Sequence, residues 1–128
     1  MPIRVMLVDD NPDDLLFTRI ALQRSGVDYE VIEFERAEQA LELMGTVPDH
    51  GVSLILLDIN MPCMDGFGFL SAFEALPTSR HVSVVMLTSS SDPSDEQRAT
   101  LHRSVRAFLN KPLSRIDANS LAKLIGES

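Results

Sequence analysis

The chain has one cysteine, Cys63, so it can form no internal disulfide, and a lone thiol makes no metal cluster. Basic residues are scarce: 11 Lys and Arg against 19 Asp and Glu leave a formal net charge of −8. Binding to phosphate backbones is driven by clustered Lys and Arg, so this balance argues against a nucleic-acid surface. DNA binding would need another chain. No apolar run approaches the roughly 20 residues of a membrane span, and the first residues lack a basic stretch followed by a long apolar one. These absences point to a reducing, cytoplasmic setting without membrane association. Internal repeats, low-complexity tracts and linkers are also missing. His50, His81 and His102 are scattered over turn and polar-helix positions and read as surface residues, so there is no His/Cys set for zinc. What remains is ordinary globular material, 128 residues at 45% hydrophobic and 23% charged, which suffices for one domain and is too short for two.

Within it, Leu54-Ile55-Leu56-Leu57 runs straight into Asp58, and Pro62 and Gly66 punctuate the loop that follows. A continuous apolar run of this kind reads as a strand buried on both faces, ending with a carboxylate at the sheet edge. Open α/β sheets place their ligand crevice at that edge; an N-cap or loop Asp is the plainer alternative. The same pattern precedes it, where residues 3–8 lead into Asp9-Asp10-Asn11-Pro12-Asp13-Asp14. A helix over about residues 13–25, stopped by Gly26, then carries Leu15, Leu16, Phe17, Ile20, Ala21 and Leu22 around most of its circumference. Either neighbouring helices cover that surface or part of it is left for a partner. A strand at 29–34 precedes a helix marked by Ala37, Ala40, Leu41 and Met44 and terminated by Gly45, with a turn at 48–51. After the strand at 52–57, Phe67, Leu70 and Phe73 mark a helix to Leu76 that Pro77 ends. The apolar run 82–87 closes on Thr88-Ser89-Ser90-Ser91, Asp92-Pro93 opens a polar helix to about Arg103, and 107–109 is a short strand ending in Asn110-Lys111-Pro112. Ser114 caps a last helix, with Asp117 in the capping-box position. Strand and helix thus alternate five times, which indicates a parallel sheet covered on both faces.

In a parallel sheet all strand ends of one kind lie on one edge. That edge collects Asp9, Asp10, Asp58, Thr88 and Lys111. Three carboxylates close together repel one another unless a cation is present, and oxygen-only donors favour Mg²⁺, or Mn²⁺ in its place, over zinc. A carboxylate beside such a metal, a hydroxyl and an ammonium is suited to receiving a phosphoryl group, with Asp58 as acceptor. A purely structural salt bridge for Lys111 is the plainer reading.

The blocks Val-Asp-Asp, Leu-Leu-Asp-Ile-Asn-Met-Pro-Cys-Met-Asp-Gly, Met-Leu-Thr-Ser and Phe-Leu-Asn-Lys-Pro, jointly and in this order, resemble the receiver domain of two-component response regulators. The resemblance covers essentially the whole chain. It implies a flavodoxin-like, doubly wound five-stranded parallel sheet of order 2-1-3-4-5 with five helices, and residues 1–128 as a single receiver domain with no output domain. It further implies Asp58 as the phosphorylated residue, Asp10 and Asp58 as direct Mg²⁺ ligands with the Asn60 carbonyl, and Asp9 acting through water. Thr88 and Phe108 match the switch pair, Lys111 the phosphoryl contact, and the Lys111-Pro112 bond is expected to be cis. Asn60 and Ser90 match positions that tune hydrolysis. The expected donor is a sensor histidine kinase or a histidine phosphotransfer protein, and Asn-Pro-Asp-Asp and Thr-Ser-Ser resemble single-domain regulators that include partners of phytochrome-type kinases. The chain would signal by phosphorylation-dependent protein binding or phosphorelay, assisting its own phosphorylation and dephosphorylation without being an enzyme in the usual sense. A homodimer through the fourth helix, fifth strand and fifth helix is a family-level expectation. Ser104-Val105 departs from the usual Gly-Ala, so the fourth helix is expected to end differently. Cys63 reads as a loop thiol, inert or redox-active. Two other readings are an aspartyl-phosphate phosphatase, which lacks its first-strand Asp-x-Asp motif and cap here, and an FMN-binding flavodoxin, which lacks the glycine-containing phosphate loop.

Overall fold

The computed structural model describes residues 2–89 and 91–126. Five strands, β1 (Ile3–Val8), β2 (Tyr29–Phe34), β3 (Val52–Leu57), β4 (Ser83–Thr88) and β5 (Val105–Asn110), form one parallel sheet of order β2-β1-β3-β4-β5. Between and after them run α1 (Pro12–Gln23), α2 (Ala37–Thr46), α3 (Gly66–Glu74), α4 (Pro93–Ala99) and α5 (Arg115–Gly126). The doubly wound fold expected from the sequence is the fold observed.

Strand alternation divides the core in two. Met6, Val8, Ile55, Leu57, Val84 and Met86 pack toward α2 and α3, where Phe69 and Phe73 lie stacked with ring centroids 5.6 Å apart. Val5, Leu7, Leu54, Leu56, Val85 and Leu87 face the other way, against Leu15 and Leu22 of α1 and Ala118 and Leu121 of α5. Both faces of β3 and β4 are covered, which explains why these strands read as unbroken apolar runs. Each fully buried Phe contributes about 1.5–3 kcal/mol relative to an exposed one, so the sheet that positions the strand ends is rigid.

Several element ends differ from the sequence reading. Helix α2 runs through Gly45 to Thr46, because Gly45 is a packing position under Leu76, whose methyls lie 3.7 Å from where a Cβ would be. Helix α3 stops at Glu74, and a 3-10 turn at Pro77–His81, started by proline at its first position, leads into β4. Helix α4 ends at Ala99 rather than near Arg103. The reason is Glu74: its Oε2 accepts from the Ser104 N–H at 2.9 Å and the Ser104 hydroxyl at 2.6 Å, and its Oε1 lies 3.0 Å from His102 Nδ1. That capture unwinds the chain after α4 and starts β5 earlier than expected. No left-handed residue is used there; among the described residues Cys63, at φ 69°, is the non-glycine with positive φ. His50 and His102 also correct the surface reading. His50 is 6% exposed, its Nδ1 accepting from the Val52 N–H at 2.9 Å and its Nε2 lying 2.8 Å from the Thr78 hydroxyl. His102 is half-buried against Glu74 and stacks on Phe67.

Candidate functional site

The strand ladder sets the site. Val8 lies opposite Leu57, Leu57 opposite Met86, and Thr88 opposite Asn110. One residue further on, backbone bonds continue the rungs: Asp9 N–H to Phe34 O at 3.0 Å, Asp58 N–H to Val8 O at 3.0 Å, and Lys111 N–H to Thr88 O at 2.9 Å. Asp9, Asp58 and Lys111 are therefore held by the sheet itself at its carboxyl edge. Asn11 caps α1, accepting from the Asp13 and Asp14 N–H groups, and Pro12 occupies the first helical turn. On the other side, the Gly66 N–H bonds Ile59 O at 2.8 Å and closes loop 60–65. A Cβ at Gly66 would stand 2.4 Å from the Asp58 carbonyl, so only glycine lets α3 start this close to the acidic strand end. Lys111-Pro112 is cis, as expected.

Side chains then converge. The Lys111 ammonium lies 2.6 Å from Asp9 Oδ2, 2.8 Å from Asp14 Oδ2 and 3.4 Å from Asp58 Oδ2. Asp9 Oδ1 accepts from the Asn11 N–H and Asp58 Oδ1 from the Ile59 N–H. Burial pushes Asp9 above the usual carboxylate range, with Lys111 and the Asn11 N–H offsetting it only in part. Burial raises Asp58 in the same way, Lys111 opposing and Asp9 adding to the rise. Burial works to depress Lys111, but Asp14, Asp9 and Asp58 outweigh it and hold the ammonium above its ordinary value. Asp9, Asp10 and Asp58 each offer a carboxylate oxygen, all within 4.8 Å of one another, with Asp10 exposed and the other two buried. Hard oxygen donors with an open side suit a small divalent cation. A cation there would relieve the burial cost that one lysine leaves on two carboxylates.

The other expected residues fall as follows. Thr88 is fully buried at the end of β4, next to the Lys111 backbone. Phe108 is partly buried against the α2–α3 side of the core, Asn60 is exposed in the loop after β3, and Ser90 lies outside the described residues. The sequence reading missed Asp14. In the sequence it is a favourable charge in the first turn of a helix, yet it is also a third carboxylate on Lys111, 97 residues away, and no local signal announces that contact.

Comparison with known proteins places this edge in context. The response regulator receiver domain family matches residues 5–123. The chain belongs to this family. A probable chemotaxis protein CheY from Rhizobium etli is 34% identical over 113 residues, covering 88% of this chain and 81% of that protein. The solved bacteriophytochrome response regulator AtBRR superposes with a TM-score of 0.82 at 30% identity, over 98% of this chain and 94% of that one. A two-component response regulator from Cytophaga hutchinsonii agrees in fold over the full length of both chains, with a TM-score of 0.90 at 24% identity. The chain spans about half the length of another curated relative, 54% of the rice two-component response regulator ORR1 at 30% identity over 125 residues and 94% of this chain. Receiver domains bind Mg²⁺ at an acidic pocket, are phosphorylated by sensor histidine kinases, and are signalling phosphoacceptors rather than enzymes in the usual sense. Among the described residues, no helix is long and apolar enough to cross a membrane.

Proposed function

We propose that this receiver domain takes a phosphoryl group on Asp58 and works as a cytoplasmic signalling module. The observation that carries the reading is the convergence of Asp9, Asp10 and Asp58 with Lys111 at one edge of the sheet. Asp10, Asp58 and the Asn60 carbonyl would hold Mg²⁺, or Mn²⁺, with Asp9 acting through water. The metal supplies charge neutralisation at the phosphoryl oxygens. Asp58 attacks phosphorus, the N–P bond of the donor phosphohistidine breaks as the O–P bond forms, and the imidazole leaves with the electron pair. Lys111, freed from part of its contact with Asp58, meets one phosphoryl oxygen, and the Thr88 hydroxyl meets another. Phe108, on the neighbouring strand two residues before its end, is the aromatic partner whose position follows Thr88.

The donor we infer is a sensor histidine kinase or a histidine phosphotransfer protein, and the likeness to AtBRR supports a phytochrome-type kinase. Its docking surface is supported by Leu16 and Phe17, 41% and 57% exposed on α1, beside a cavity lined by Asp14, Phe17, Lys111 and Pro112. Leu101 and Ile116, 84% and 75% exposed, support a partner or homodimer surface around α4, β5 and α5. The flavin reading loses support because the turn after β1 presents Asp9 and Asp10 where a phosphate would sit. The phosphatase reading loses it because the acceptor candidate follows β3. Incubation with acetyl phosphate and Mg²⁺, followed by intact mass measurement, tests the proposal: one phosphoryl adduct is expected on wild type and none on Asp58→Asn. An undiminished adduct on the variant would overturn the assignment.

A further inference from the structure

The opposite edge of the sheet carries the reverse charge. Ser83 opens β4 there, Arg106 is the second residue of β5, and Arg80, His81 and Arg103 come from the segments that lead into these strands. Together with Ser79 they line a cavity of about 70 Å³ with no acidic residue in its wall. Roughly two water volumes at about 30 Å³ each fill such a space, which is the scale of one tetrahedral oxyanion.

Two features separate this cluster from arginines that merely face solvent. The first is charge left unneutralised. Arg103 is fixed by donating to the Glu74 carbonyl at 3.0 Å and to Ser79 Oγ at 2.8 Å, both neutral acceptors. Arg80 and Arg106 make no ion pair or hydrogen bond among the described residues, in a chain with 19 acidic residues to choose from. Glu74, the nearest carboxylate on α3, has its oxygens engaged by Ser104 and His102. The second is a hydroxyl donor set among these charges: Ser83, 5% exposed, lines the cavity together with the three arginines. An oxyanion among three guanidiniums would receive charge-assisted bonds from them and one more from this hydroxyl.

We propose that Arg80, Arg103 and Arg106, gathered around the Ser83 hydroxyl at the amino edge of β4 and β5, bind a phosphate-class oxyanion. Arg80, His81 and Arg103 also line an adjoining open groove of about 470 Å³ with Glu74, Ala75, Leu76 and Pro77 on its wall; the Glu74 carboxylate is engaged by Ser104 and His102, and the ligand class is a phosphorylated small molecule with an apolar body. The site is independent of phosphorylation at Asp58, since six-residue strands at about 3.3 Å per residue separate the two edges by roughly 20 Å.

The test is an ¹H–¹⁵N NMR titration of the whole chain without Mg²⁺, at ionic strength held constant with sodium chloride, using inorganic phosphate and then phenyl phosphate. Saturable shifts are expected at amides 80–83 and 104–106 with phosphate, with tighter binding and added shifts at 75–77 with phenyl phosphate. The double variant R80Q/R106Q should weaken binding at least tenfold, and Ser83→Ala less, while both keep the acetyl phosphate reaction at Asp58. Linear, non-saturating shifts, or saturation unchanged in R80Q/R106Q, would overturn the oxyanion site; phenyl phosphate binding no tighter than phosphate would overturn the extended ligand.

Discussion

At the carboxyl edge of the sheet, burial leaves Asp9 and Asp58 above the usual carboxylate range, whereas at the amino edge Glu74 carries the same kind of burial cost and still ends below it. The difference lies in donors. Glu74 receives the Ser104 hydroxyl and N–H and faces His102, and these together outweigh its desolvation. Asp9 and Asp58 share one ammonium and receive one backbone N–H each. An edge whose carboxylate has enough donors is finished as structure; an edge whose carboxylates lack them holds its deficit for something that arrives, a cation and then a phosphoryl group.

The largest test of the contrast concerns the carboxyl edge's scaffold. Gly66→Ala puts a methyl within contact-forbidding distance of backbone, 2.4 Å from the Asp58 carbonyl and 2.9 Å from Ile59 Cα. Overpacking against main chain that cannot rotate away costs about 3 kcal/mol. Urea denaturation should register that loss, with slower phosphoryl uptake because Asp58 is displaced. A loss under about 0.5 kcal/mol would mean the loop moves freely and the edge is not rigidly built.

Next come two substitutions of opposite sign. Glu74→Ala strands the Ser104 N–H and hydroxyl and frees the end of α4, an expected loss of about 2 kcal/mol. Asp58→Asn removes an undersupplied charge while keeping an oxygen for the Ile59 N–H, and Lys111 retains Asp9 and Asp14. The metal-free variant should gain on the order of 1 kcal/mol over wild type. Added Mg²⁺ should reverse the order, raising the melting temperature of wild type more than that of the variant. If both substitutions destabilise alike without metal, the two edges do not differ in the way their donors indicate.

These edges also mark how far the sequence could be read. Strands β1, β2 and β3 fall where their apolar runs end, and the carboxyl edge was legible because strand, acid and loop signals coincide at Asp9, Asp58 and Lys111. The amino edge was not. The end of α4 is decided by Glu74, thirty residues before Ser104, and no local signal in the polar stretch around Arg103 announces that capture. His50 looked like a turn histidine because its burial depends on Val52 and Thr78 closing over it. Gly45 looked like a helix stop because a glycine chosen for contact with Leu76 is written with the same letter as one chosen for its backbone. Asp14 looked like a helix-dipole charge because its lysine is 97 residues away. In each case a distant side chain overrode the local pattern.

The smallest expected effect concerns the amino edge and pH. His50 is held below its ordinary value of 6.5, chiefly by burial and next by Arg4, whose guanidinium donates to the His50 carbonyl. Its Nδ1 must stay unprotonated to accept from the Val52 N–H, so the fold favours the neutral ring. The stability this contributes is fully present above pH 6.5 and is lost as pH falls through 6.5 toward the depressed folded value. Glu74, held below 4.5, adds its own loss only at more acid pH, and Asp9 and Asp58, held above the usual range, act in the opposite direction in wild type and variant alike. Comparing wild type with His50→Asn, which retains an oxygen to accept from Val52, isolates the histidine. Between pH 7.5 and 5.5, urea midpoints of wild type should fall further than those of the variant, the difference amounting to about 1 kcal/mol or less. Parallel slopes in the two proteins would show that the ring accommodates its proton, and that the amino edge is less completely finished than its hydrogen bonds imply.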